Sequence, residues 1–141
     1  MSFVDCDITS SSGRGVVATR GSHLLMHRCQ VHDSAATGVY IGGDGSFGEA
    51  VGCTIVRNGK GGERVLRGHS GIFVDRAKFN IRESMINSNF LTGVSLVGEG
   101  AHSVIENTQI KGNATNPIDC SPGKVELKGK NDIAIPPAST I

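Results

Sequence analysis

Thirteen-residue blocks recur along this chain, and they constrain its fold more than any other feature. From Cys6 the sequence reads CDITSSSGRGVVA, from Cys29 CQVHDSAATGVYI, from Ser84 SMINSNFLTGVSL and from Thr108 TQIKGNATNPIDC. Another copy opens at Cys53 as CTIVRN and resumes at 70–74 as SGIFV after an insertion; a partial copy, NDIAI, opens at Asn131. Successive starts lie 23, 24, 31, 24 and 23 residues apart, the long interval being the one with the insertion. Two residues after each start stands a β-branched residue: Ile8, Val31, Ile55, Ile86, Ile110, Ile133. Five after stand turn formers: Ser11, Ser34, Asn58, Asn89, Asn113. A further column runs Gly15, Gly38, Gly71, Gly93 and then Pro117; after it come apolar positions two apart, such as Val39 and Ile41 or Ile72 and Val74.

Apolar spacing of two is the period of a strand with one face buried. A weaker apolar stretch, for example Leu24 and Met26 or Phe79 and Ile81, completes about three short strands per copy. A unit this small cannot bury its own inward side chains and must stack on its neighbours. Stacking puts equivalent residues over one another at the ~4.8 Å spacing of paired strands, and the crossover preference makes the winding right-handed. The leucine-rich repeat has a similar period, but it needs a leucine framework that this chain lacks. The expectation is an all-β, right-handed parallel β-helix of about five coils of 23–24 residues, one domain over 1–135 with a loop inserted at 59–70 and a tail at 136–141. The Asn/Ser column is expected to supply the left-handed turn residue between sheets.

Composition removes several function classes. The formal net charge is +1, and the chain has no Trp and a single Tyr, which argues against nucleic acid and anionic membranes as partners. No apolar run approaches the ~18 residues of a membrane span. The N-terminal stretch lacks the basic and apolar regions of a signal peptide. Cys6, Cys29 and Cys53 share one inward column and Cys120 falls in another, so free buried thiols are expected, which favours a reducing, cytoplasmic setting without settling the compartment. His23, His27, His32, His69 and His102 form no ligand frame and read as surface residues. No metal site and no cofactor are expected.

The insertion, GKGGERVLRGHS at 59–70, is glycine-rich and mainly basic. Insertions in solenoids collect on one face, often the binding face. Lys60, Glu63, Arg64, Arg67 and His69, with Asp75 nearby in sequence, are the candidate binding residues for an acidic group on a protein or polysaccharide. The alternative is a decorative loop whose Val65 and Leu66 dock on Phe90 and Leu91. The turn GGDG at 42–45 carries too few acids for calcium and reads as a glycine-dependent corner. The chain begins in mid-coil with Phe3 in the place of Met26, so a longer solenoid, or end-to-end contact at the uncapped first coil, is expected.

In IVRN…SGIFV and INSNFLTGVSL the chain resembles the right-handed parallel β-helix repeat proteins, over nearly its whole length. That pectate-lyase-like superfold includes polysaccharide lyases and glycoside hydrolases, periplasmic NosD-type proteins, and the noncatalytic repeats of F-box-only and SHC-binding proteins; RGHSGIFV at 67–74 is most similar to the last. The resemblance implies either a noncatalytic binding or scaffold module or a carbohydrate-active enzyme. The enzymes commonly carry N-T-D, D-D, G-H-G and R-I-K segments, none of which occurs here: GHSG at 68–71 departs from G-H-G at Ser70. No outward ladder sets two acids side by side, so no catalytic residue is assigned and the binding-module reading is preferred.

Overall fold

The computed structural model describes residues 1–61, 70–121 and 123–134. They form a parallel β-solenoid of three sheets. The first sheet stacks β1 (Ser2–Val4), β4 (His23–His27), β7 (Phe47–Val51), β10 (Lys78–Arg82), β13 (His102–Glu106) and β16 (Lys124–Lys128). The second stacks β2 (Asp7–Ile8), β5 (Gln30–His32), β8 (Thr54–Val56), β11 (Met85–Asn87), β14 (Gln109–Ile110) and β17 (Asp132–Ile133). The third stacks β3 (Val16–Thr19), β6 (Val39–Gly42), β9 (Ile72–Asp75), β12 (Val94–Val97) and β15 (Ile118–Ser121). Every pairing is parallel and joins consecutive coils, and the register Val31↔Ile55↔Ile86 is the one the repeat demands.

Alternation sorts the side chains. Val31, Ile55, Ile72, Ile86 and Ile110 are fully buried, as are Leu24, Phe79 and Ile81 from the first sheet. Each such side chain contributes roughly 1.5–3 kcal/mol of burial free energy. The spine is only partly buried at Ile8 and Ile133, each of which, among the described residues, has a paired rung on one side only. For the same reason Cys120, which stands in the inward register beside Leu96, is exposed rather than buried as its column suggested.

All four cysteines are free. The thiols of Cys29 and Cys53 point back along the column to Phe3 O and Met26 O, each at 3.4 Å. Burial pushes the Cys53 thiol pKa upward. Further along the column the residues become hydroxyls and then an amide. Ser84 Oγ accepts from Cys53 N at 3.0 Å, and Asn131 Oδ1 accepts from Thr108 N at 2.9 Å.

The corner between the second and third sheets corrects one expectation. The left-handed residues there are Asp33, Arg57, Ser88 and Gly112, with φ between +55° and +67°, one position before the Asn/Ser column. The column itself turns inward and builds a buried ladder. Asn58 Oδ1 accepts from Ser34 N (3.1 Å), Asn89 Oδ1 from Asn58 N (3.0 Å) and Asn113 Oδ1 from Asn89 N (2.9 Å). In return Asn58, Asn89 and Asn113 donate through Nδ2 to Val31 O, Ile55 O and Ile86 O. Where the chain bends sharply its peptide groups leave the sheet ladders, and a buried amide with both a donor and an acceptor satisfies them from one coil to the next. The glycine column serves this ladder rather than a positive φ. A Cβ on Gly71 would sit 2.6 Å from Asn89 Nδ2 and 2.9 Å from Gly93 O.

Candidate functional site

The outward face of the third sheet carries a cluster of aromatic and charged side chains. Its register sets Val17, Tyr40, Phe73, Ser95 and Asp119 in one column, and Thr19, Gly42, Asp75 and Val97 in the next. Tyr40 and Phe73, on adjacent rungs, stack with centroids 5.7 Å apart and planes 17° from parallel. The Arg14 guanidinium lies 4.2 Å from the Tyr40 ring centroid, a cation–π contact. Tyr40 Oη donates to Asp75 Oδ2 at 2.9 Å, and Arg76 Nε donates to Asp75 Oδ1 at 3.1 Å. Burial, then the carboxylate beside it, raises the Tyr40 pKa, so the phenol stays protonated and donates. Gly42 makes the reach possible, since a Cβ there would stand 2.7 Å from Tyr40 Oη. The hydroxyls of Ser70 and of Ser95, the next member of the outward column after Phe73, meet at 2.7 Å, and both residues are buried.

The candidate residues distribute unevenly. Asp75 is in the cluster, with its carboxylate held between a phenol and a guanidinium rather than standing as a lone surface acid. Lys60 lies at the opposite edge, where the chain enters the third sheet, and pairs with Asp33 at 3.2 Å. Glu63, Arg64, Arg67 and His69, like Val65 and Leu66, lie outside the described residues. Phe90 and Leu91, the expected docking place for the last two, are exposed. The sequence reading missed Tyr40, Phe73 and Arg14, although GVYI and GIFV set an aromatic at the same position of successive copies and that signal was available.

His32 is the second departure. Read as an ordinary surface residue, it is bracketed by two carboxylates: Nε2 lies 2.5 Å from Asp7 Oδ1 and Nδ1 2.7 Å from Asp33 Oδ2. Asp33 also accepts from Arg57 at 3.1 Å, so the cluster ties three coils together. The carboxylates, Asp33 first, raise the His32 pKa, and Arg57, ahead of His32, holds Asp33 well below the usual carboxylate range. With both ring nitrogens engaged, His32 acts as a clamp rather than as a base. Among the described residues no group of three or more His, Cys, Asp or Glu side chains could hold a metal ion, and no helix is long and apolar enough to cross a membrane.

Three stacked parallel sheets, paired rung to rung through consecutive coils, define a parallel β-helix. The chain belongs to the right-handed β-helix family: the model described as "Right handed beta helix region" matches residues 1–134. No curated protein matches it. Among solved structures it is similar to the crystal structure of the periplasmic alginate epimerase AlgG, with a TM-score of 0.64 and 13% identity over 95% of this chain. The match spans 39% of that protein's length, so the likeness is one of fold.

Proposed function

We propose that this β-helix is a noncatalytic binding module that takes a polysaccharide on the outer face of its third sheet. The stacked Tyr40–Phe73 pair carries the reading. In a chain with six aromatic residues, two lie face to face on an outward surface, bordered by Arg14, Asp75 and Arg76. One face of Tyr40 lies on Phe73 and the other under Arg14, so a sugar ring packs its apolar face on the remaining Phe73 face and the outward ring edges and is oriented by the polar groups around them. The alginate epimerase named above offers a precedent for polysaccharide on this fold.

Binding is favoured over cleavage because both Asp75 oxygens are already engaged and its nearest partner acid in these columns, Asp119, lies two rungs away, ~9.6 Å along the solenoid alone. Paired-carboxylate hydrolysis needs two free acids facing one bond. The inserted residues Glu63, Arg64, Arg67 and His69 keep the recognition role their charge suggests, whereas Lys60 is committed to Asp33.

Calorimetric titration with uronic-acid and neutral oligosaccharides tests the proposal. Tyr40→Ala and Phe73→Ala each weaken binding about tenfold or more, as loss of an aromatic anchor does, with the β-sheet circular dichroism unchanged. Bond cleavage by the pure protein that Asp75→Asn abolishes would replace this reading with the carbohydrate-active enzyme, a lyase or hydrolase.

A further inference from the structure

The corner between the third and first sheets is unequal from coil to coil. Four residues, Gly43 to Ser46, connect β6 to β7, and four, Gly98 to Ala101, connect β12 to β13. Between them, β9 reaches β10 through only Arg76 and Ala77. A corner two residues shorter than both neighbours leaves a notch, and a cavity of about 430 Å³ lies there. Its floor is Arg76 and Lys78, its two walls are the loop tips bearing Asp44 and Glu99, and the Phe47 ring closes one side. The notch adjoins the aromatic face, because Arg76 is the residue that follows Asp75.

The charges in this notch are available. Among the described residues the side chains of Asp44, Lys78 and Glu99 have no hydrogen-bond or ion-pair partner. Arg76 uses Nε on Asp75, which leaves its terminal nitrogens free of that bond. A metal ion is disfavoured, since the two acids stand on walls two rungs apart, ~9.6 Å, over a floor of two cations. The arrangement suits a ligand with one anionic group flanked by hydroxyls. The ammonium and guanidinium donate to the anion, and the wall carboxylates, which only accept, take hydrogen bonds from hydroxyls on either side of one six-membered ring.

We propose that this notch is a subsite for a carboxylated sugar: Lys78, with Arg76, binds the carboxylate, and Asp44 and Glu99 accept from ring hydroxyls. The inference rests on the glycan reading of the adjacent face and specifies the class of glycan, a uronate-containing chain that continues from the Tyr40–Phe73 stack over Arg76 into the notch. Lys78 is an outward, exposed residue at the first position of β10, so its replacement leaves the core intact.

The test is titration of the full chain with galacturonate and alginate tetramers and with the same tetramers carrying methyl-esterified carboxyls. Lys78→Met is expected to weaken binding of the free acids about tenfold and to change that of the esters by less than twofold. Glu99→Gln is expected to weaken both, since hydroxyl recognition is common to them. An equal loss for acid and ester with Lys78→Met, or no loss for either, overturns the notch assignment. A wild-type chain that binds only esters overturns the notch while the aromatic face stands. One that binds none of the four overturns both.

Discussion

Two corners of the same coil behave in opposite ways. Where the second sheet meets the third, successive coils repeat one arrangement: a left-handed residue, an inward amide, and further on a glycine beneath the next amide. Where the third sheet meets the first, the corners differ in length, and two loop tips hold the unpartnered carboxylates Asp44 and Glu99 over a floor of Arg76 and Lys78. The first corner is buried and serves stability, because a ladder works only if every rung has the same geometry. The second is exposed, and a difference between rungs there creates a concavity that identical rungs would not have. In this solenoid, regularity holds the coils together, and irregularity makes the notch proposed as a sugar subsite.

The comparison is broken most severely at the regular corner. Asn89→Ala strips the partners from Asn58 N and from Ile55 O. At about 1–3 kcal/mol for each buried group left unpaired, the loss is roughly 2–4 kcal/mol in urea unfolding. Gly71→Ala, which forces a methyl against Asn89 Nδ2, costs about 1–3 kcal/mol by the same measurement. A loss below about 0.5 kcal/mol in both variants would mean that the ladder does not hold the coils.

At the irregular corner the expected effects reverse, with large changes in binding and small ones in stability. Inserting Gly-Ser between Arg76 and Ala77 gives coil three the corner length of its neighbours and fills the notch. Stability should change by less than about 1 kcal/mol, since lengthening a surface connection costs little. The preference for free-acid over esterified oligosaccharide should disappear in the same titration.

The His32 cluster gives a smaller, pH-dependent effect. Its pKa is raised above the ordinary 6.5 by Asp33 and Asp7. Its contribution is therefore fully present below about 6.5 and is lost as pH rises through the higher folded value. Asp33 works in the other direction: held low by Arg57 and His32, it stabilises above the ordinary carboxylate range and loses that effect only as pH falls towards its depressed folded value. Stability measured from pH 5 to 9 should decline on the alkaline side, and His32→Gln should flatten the decline; an unaltered profile in that variant excludes the clamp. The smallest effect is at Lys60→Ala. It removes an exposed pair to Asp33 that a second cation, Arg57, already serves, so the expected cost is under about 1 kcal/mol in thermal unfolding.

Much of the candidate site was present in the sequence in a form that local reading undervalued. Asp75 and Arg76 look like a solvated dipeptide until Tyr40, 35 residues earlier, is seen to donate to the same carboxylate. Asp7, His32 and Asp33 lie 25 and 1 residues apart, and only stacking brings Asp7 onto the imidazole. The asparagines were recognised as a column but placed at the wrong turn position. Their preference for left-handed backbone and their capacity for inward capping give the same sequence signal, and burial decides between them.

By itself the sequence determined the coil length, the three strands per coil, the inward spine from Ile8 to Ile133 and the column of free thiols, because each follows from polarity alternating at a period that a stack can repeat. Only the tertiary structure decided which outward side chains meet, what the asparagines bond to, and that a corner two residues short opens a notch beside the aromatic face. Those outcomes depend on how one rung lies over the next and on the lengths of neighbouring corners, quantities that no single coil's pattern contains.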